Sequence, residues 1–142
     1  MVDSYIILAL LSAIFAALVS IFGKIGLSNI DSLTATAIRS IIMFVFMMLI
    51  LVLSGKITQL NNLKLSNISI IFIILSGIAG ILSWIFYFSA LKLGDAYKVA
   101  VIDRLSIVFV FIFSILVLNE NFSIKSVLGI ILVVLGSILV IL

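Results

Sequence analysis

The 142-residue sequence has no cysteine, no histidine and no proline. Without cysteine there are no disulfides, no thiol redox chemistry and no thiolate nucleophile. Without histidine the chain lacks a standard zinc and haem ligand and the side chain best suited to moving protons near neutral pH. No cofactor and no metal site is therefore implied. Proline is fairly frequent in membrane helices, so its absence predicts helices that are not broken at prolines. Charge is scarce as well. Lys and Arg number eight and Asp and Glu five, 9% of the chain, against roughly a quarter in an average soluble domain. Hydrophobic residues make up 66% and the mean hydropathy is +1.62. A soluble globule of this size has too much surface to cover with so few polar groups. Composition thus excludes a soluble enzyme, a disordered segment and a nucleic-acid-binding domain. The net charge of +3 does not restore the last, because basic residues spread singly form no phosphate-binding patch.

What is present is five apolar runs: Tyr5 to Gly23, Leu33 to Leu53, Ile68 to Leu91, Val99 to Leu118 and Ile124 to Leu142. Each approaches the ~20 residues that cross ~30 Å of hydrocarbon as a helix. Barrel strands would alternate over about ten residues, and these runs do not. Lipid offers nothing to an unpaired backbone, so helices are the remaining choice. The expectation is an all-α membrane protein with five transmembrane helices in one domain over residues 1–142. The flank Met1-Val2-Asp3-Ser4 lacks the basic residues of a signal peptide, so the first run reads as a retained span.

The connections are short. Lys24 to Ser32 joins the first two spans, and Ser54 to Asn67, with Gly55, Asn61, Asn62 and Asn67, joins the next two. Lys92 to Lys98 and Asn119 to Ser123 read as tight turns, with Ser123 a candidate N-cap for the last helix. Small residues lie in rows along the spans: Ala9, Ala13 and Ala17; Ser76 and Gly80; Gly129 and Gly136. Such rows permit close helix approach, either within the chain or, for span five, at a subunit interface.

Five spans put the two ends of the chain on opposite sides. The N-terminal side then carries Lys56, Lys64 and Lys125, and the other side Lys24, Lys92 and Lys98. Arg39 and Arg104 lie inside spans toward that second side. Three against three, or three against five, gives the positive-inside rule little to act on. A chain with so weak a bias can insert both ways. Two copies inserted oppositely would form the inverted repeat from which many transporters build alternating access. A homodimer, possibly antiparallel, is the expected assembly, with a uniformly inserted chain as the alternative.

Ionisable groups at membrane depth are costly, so they serve either function or a paired structure. Lys24, Arg39, Asp103 and Arg104 fall in or at the ends of three spans, all toward one side. Arg39 lies about 9 Å into span two, and Asp103 and Arg104 about 6–8 Å into span four. Asp103 is the one carboxylate within a span, and its natural partners are Arg39 and Lys24. Asp103 and Arg104, about 100° apart on a helix, cannot point the same way; Asp103 is expected inward and Arg104 toward the interface. An ion pair that locks three helices fits this pattern as well as a substrate site does. The excess of positive charge points to anionic or zwitterionic substrates. A cationic-drug exporter would call for an uncompensated acid in mid-span. Glu120, in the turn after span four, reads as a solvated residue. Span three adds Ser83-Trp84-Ile85-Phe86-Tyr87-Phe88, with Trp84 and Tyr87 on one face and Phe88 beside them. These rings suit either a cavity wall or an interfacial aromatic belt.

In order and spacing, these segments resemble the drug/metabolite transporter superfamily, EamA type, in a single-repeat five-helix form. The carriers are Lys24-Ile25-Gly26-Leu27, Ala35-Thr36-Ala37-Ile38-Arg39, Ser83-Trp84 with Tyr87, and Ala90-Leu91-Lys92-Leu93-Gly94. Val101-Ile102-Asp103-Arg104-Leu105-Ser106, Leu118-Asn119-Glu120-Asn121-Phe122-Ser123, Gly129 and Gly136 complete them. The resemblance covers essentially the whole chain. It implies half of a ten-helix inverted-repeat transporter in the cell membrane, moving small metabolites or drug-like molecules by secondary transport. One departure is the absence of the proline that many two-repeat relatives carry early in their fourth helix, where Asp103 and Arg104 stand here. The expected function is a small secondary transporter whose substrate contacts are drawn from Lys24, Arg39, Trp84, Tyr87, Asp103 and Arg104. The alternative is a non-transporting membrane subunit that needs another protein partner. An intramembrane enzyme is disfavoured, because no second in-span carboxylate accompanies Asp103.

Overall fold

A computed structural model describes residues 4–61 and 66–142. The flank 1–3 and the loop residues Asn62 and Lys64 lie outside the described residues. The chain divides into two compact units, residues 24–92 and residues 1–23 with 93–142. All regular structure among the described residues is helical: α1 Ser4–Gly26, α2 Ser32–Leu53, α3 Ile57–Asn61, α4 Asn67–Leu93, α5 Ala96–Asp103, α6 Ser106–Leu118 and α7 Ile124–Ile141. Among the described residues, five stretches are long and apolar enough to cross a membrane: α1, α2, α4, α5 with α6, and α7. The shortest has 18 residues, or ~27 Å of helix. Few side chains are buried, and most Leu, Ile, Val and Phe residues face outward. In water that surface would drive aggregation, whereas in a bilayer it faces a solvent of its own polarity.

In the unit of residues 24–92, α2 and α4 run antiparallel and are pinned at one end. Ser32 and Ser89 share a 2.9 Å hydrogen bond between hydroxyls. Around them each helix also satisfies its own hydroxyls: Thr36 donates to the Ser32 carbonyl, Ser40 to Thr36 and Ser89 to Ile85. Such i−4 bonds let a Ser or Thr sit in lipid without an orphaned donor. Lys24, in the last turn of α1, donates from Nζ to the Leu91 carbonyl at 2.6 Å. Lys92 donates to the Ile30 carbonyl at 2.8 Å. Both cations therefore serve carbonyls, and Lys24 meets one in the last turn of α4, where the helix leaves carbonyls unpaired. Leu27, Phe88 and Leu91 form the buried apolar part of this unit.

Asp31 caps α2. Its carboxylate accepts from the backbone N–H of Leu33 at 3.0 Å and of Thr34 at 2.9 Å. The other end of α2 closes with Gly55 in the left-handed region, φ +67°. The Lys56 N–H reaches the Leu51 carbonyl and the Gly55 N–H the Val52 carbonyl, the paired bonds of a Schellman cap. The connection beyond it is not all loop, because α3 occupies Ile57–Asn61.

In the other unit, α5 packs on α7, and Phe111 of α6 meets Phe122 edge to face with ring centroids 4.5 Å apart. Ser123 is the N-cap of α7, as expected, accepting from the Ser126 N–H at 3.1 Å. Asn119 ends α6 in the left-handed conformation, φ 53°, a role for which asparagine is the usual substitute for glycine.

The fourth span corrects two expectations. It begins earlier, at Ala96, which shortens the preceding turn, and it is two helices rather than one. The break falls at Arg104 and Leu105 without any proline. There the backbone bonds tighten from i−4 to i−3: Leu105 N–H to Ile102, Ile107 to Arg104 and Val108 to Leu105. Arg104 and Leu105 have φ near −63° and ψ near −15°, the geometry of a 3₁₀ turn.

Within its own unit, a Cβ added at Gly77, Gly80, Gly129 or Gly136 would meet nothing within 4 Å among the described residues beyond the adjacent backbone of its own helix.

Candidate functional site

Arg39 lies seven residues into α2, ~10 Å from its start. Opposite it, α4 presents Trp84 and Phe88, one helical turn apart. The guanidinium carbon is 4.5 Å from the Trp84 ring centroid and 5.0 Å from that of Phe88. Tyr87 stands edge-on to Phe88, with centroids 6.2 Å apart. A cation over an aromatic face in a dry setting gains about 2 kcal/mol. Neither ring offers a lone pair, so the guanidinium N–H groups have to find hydrogen-bond acceptors elsewhere.

One of them has none. Nη1 of Arg39 is buried and makes no hydrogen bond within the described residues. The hydroxyls on α2 near it in sequence, Thr36 and Ser40, donate to carbonyls of their own helix. A buried, unsatisfied donor on a charged group costs more than the ~1–3 kcal/mol of a neutral one.

Of the six residues expected from sequence, Arg39, Trp84 and Tyr87 fall in one unit, with Arg39 and Trp84 in direct contact. Lys24 belongs to the same unit and spends a hydrogen bond on the end of α4. Asp103 and Arg104 belong to the other unit. Asp103 is the last residue of α5 and Arg104 caps it at the break; both are exposed. Phe88 does more than flank the aromatic pair, and its spacing of four from Trp84 is the signal that makes it the second ring over Arg39. Asp31 is more than a loop residue, and an Asp just before an apolar run is an N-cap signal. A groove along α6, lined by Val110, Phe113, Ser114, Val117 and Leu118, is apolar and carries no charged residue.

Residues 3–142 match the EamA-like transporter family. The chain belongs to that family. It is an EamA-type member of the drug/metabolite transporter superfamily, a multi-pass integral membrane protein and a membrane transporter. A protein of Sinorhizobium sp described as an uncharacterized transporter in the cobO 3' region is 40% identical over 131 residues, covering 92% of each chain. No solved structure matches this EamA-like chain significantly.

Proposed function

We propose that this EamA-like transporter is a small secondary transporter that moves small metabolites or drug-like molecules, and that it works as an antiparallel homodimer of ten helices. The carrying observation is that the family match occupies residues 3–142 of a chain with only five candidate spans among its described residues. Alternating access about a midplane site uses two repeats of opposite orientation, and five spans make up one such repeat. The near balance of Lys and Arg between the two sides supports insertion in both orientations. Arg39, Trp84 and Tyr87 are the substrate contacts best supported by geometry, with Lys24, Asp103 and Arg104 as further candidates. Asp103 is the carboxylate available for proton coupling, placed where span four changes from one helix to the next.

The test is reconstitution of the purified chain alone into liposomes, with uptake of a metabolite pool and of candidate compounds preselected by thermal shift, since a ligand of the folded state raises its stability. Saturable flux with this chain alone is the expected result. Flux that appears only with a second, different protein would replace this reading by that of a partner-dependent subunit.

A further inference from the structure

The most specific unanswered feature of the molecule is the Arg39 guanidinium. Its charge is permanent, since arginine does not deprotonate in proteins. It sits in a membrane-spanning helix, against Trp84 and Phe88, with Nη1 buried and unpartnered among the described residues. The rings soften the cost of placing the charge there, but they do not answer an in-plane N–H. The group that answers a guanidinium edge best is a planar or tetrahedral oxoanion, which accepts two parallel N–H bonds.

We infer that Arg39 is the docking group for the oxoanion of the transported molecule, a carboxylate or a phosphate, with the indole of Trp84 as the apolar wall beside it. The inference rests on the transporter reading above and narrows it to anionic substrates. Three facts support it beyond the orphaned nitrogen. Thr36 and Ser40 turn their hydroxyl protons to carbonyls of α2, and Lys24, a donor only, has no lone pair to offer an N–H. Lys24 and Lys92 are held on the carbonyls of Leu91 and Ile30, where α4 ends and α2 begins, and add positive charge at that end of the unit. Arginine is also the residue suited to this task, because lysine lacks the two-pronged edge.

Two sources can deliver such an oxoanion: a small organic acid or the phosphate of a lipid headgroup. Trp84 separates them, since it is the one tryptophan of the chain and its ring lies 4.5 Å from the guanidinium. Intrinsic fluorescence of the purified full-length protein in uncharged detergent therefore reads the site directly. The probes are cyclohexanecarboxylate, its amide as the uncharged isostere, inorganic phosphate and phosphatidylglycerol. The expected result is a saturable change in Trp84 emission with the carboxylate or phosphate and none with the amide. Arg39→Lys should weaken apparent affinity at least tenfold, and Arg39→Gln should abolish the response. The comparison of acid with amide needs no variant, so it stands even if Arg39→Gln fails to fold. Equal responses to acid and amide, or an unchanged response in a folded Arg39→Gln protein, would overturn the inference. Saturation by phosphatidylglycerol that the small acids cannot displace would overturn the substrate role and leave a lipid site. Binding without flux in liposomes would sink the transporter reading while keeping the anion site. Flux indifferent to Arg39 would do the reverse.

Discussion

At the residue scale, the chain deals with its few polar groups by local bonding, and the exceptions mark where something further is built. Asp31 is a settled case. The Thr34 hydroxyl, the backbone N–H of Thr34 and of Leu33, and the charge of Lys92 hold its carboxyl below the usual carboxylate range. Bonds to the ionised form lower a pKa in this way. The sign of the linkage follows. A depressed folded-state pKa contributes stability above the unfolded value of ~3.9, and that contribution is lost as pH falls through the folded one. Asn is as good an N-cap as Asp but does not titrate. The melting temperature of the wild type in detergent should therefore exceed that of Asp31→Asn at pH 6, and the gap should close as pH falls below about 4. Asp31→Ala, which has no cap, should be less stable than Asp31→Asn at every pH. A gap between wild type and Asp31→Asn that widens on acidification would refute the assignment. Arg39 is the opposite case, a charge whose requirements the chain leaves open.

At the scale of elements, helix ends follow backbone rules more than side-chain space. Gly26 and Gly55 both have open surroundings, with nothing within 4 Å of where a Cβ would stand. They differ in conformation, because Gly55 alone of the two has a left-handed φ. Gly55→Ala should lower stability by about 1–2 kcal/mol, the cost of a Cβ in that region, whereas Gly26→Ala should be neutral or stabilising by up to ~1 kcal/mol. Chemical or thermal unfolding of the two variants side by side checks this, and equal effects would show that the Schellman cap does not hold α2. Much of this level is readable in the residues. The five apolar runs place the spans to within about three residues of the observed ends, and Ser123 announces the start of α7. The break in span four is not readable, because the residues there carry no proline or glycine. It is written in backbone bonds that shift from i−4 to i−3, which composition does not encode. The site is legible in part. Arg39 and Trp84 stand out as a charge and a large ring inside apolar runs, but their contact depends on the register of α2 against α4, which the Ser32–Ser89 bond fixes.

At the scale of the whole molecule, the question is how a chain with five candidate spans among its described residues would carry out the transport proposed above. The lysines are divided three to three between the two sides, and the two arginines lie within spans. If both orientations are needed, this balance is a functional property, and disturbing it should disturb transport. A tag at the C-terminus of the wild type should be found on both sides of the membrane. Asn119→Lys with Asn121→Lys adds two charges to one side, and Ser28→Lys with Asn29→Lys adds two to the other; each pair sits close to span ends, where the rule counts charge. Each double variant should collapse the tag onto a single side, opposite for the two variants. Each should then lose most of its flux when expressed alone, because its copies share one orientation. Co-expression of the two should restore flux, since each supplies the orientation that the other lacks. Substitutions that merely damage folding would fail together as well as apart, so restoration by co-expression discriminates. A wild-type tag found on one side only, or full flux from either variant alone, would rule out the antiparallel dimer and favour copies that all insert the same way.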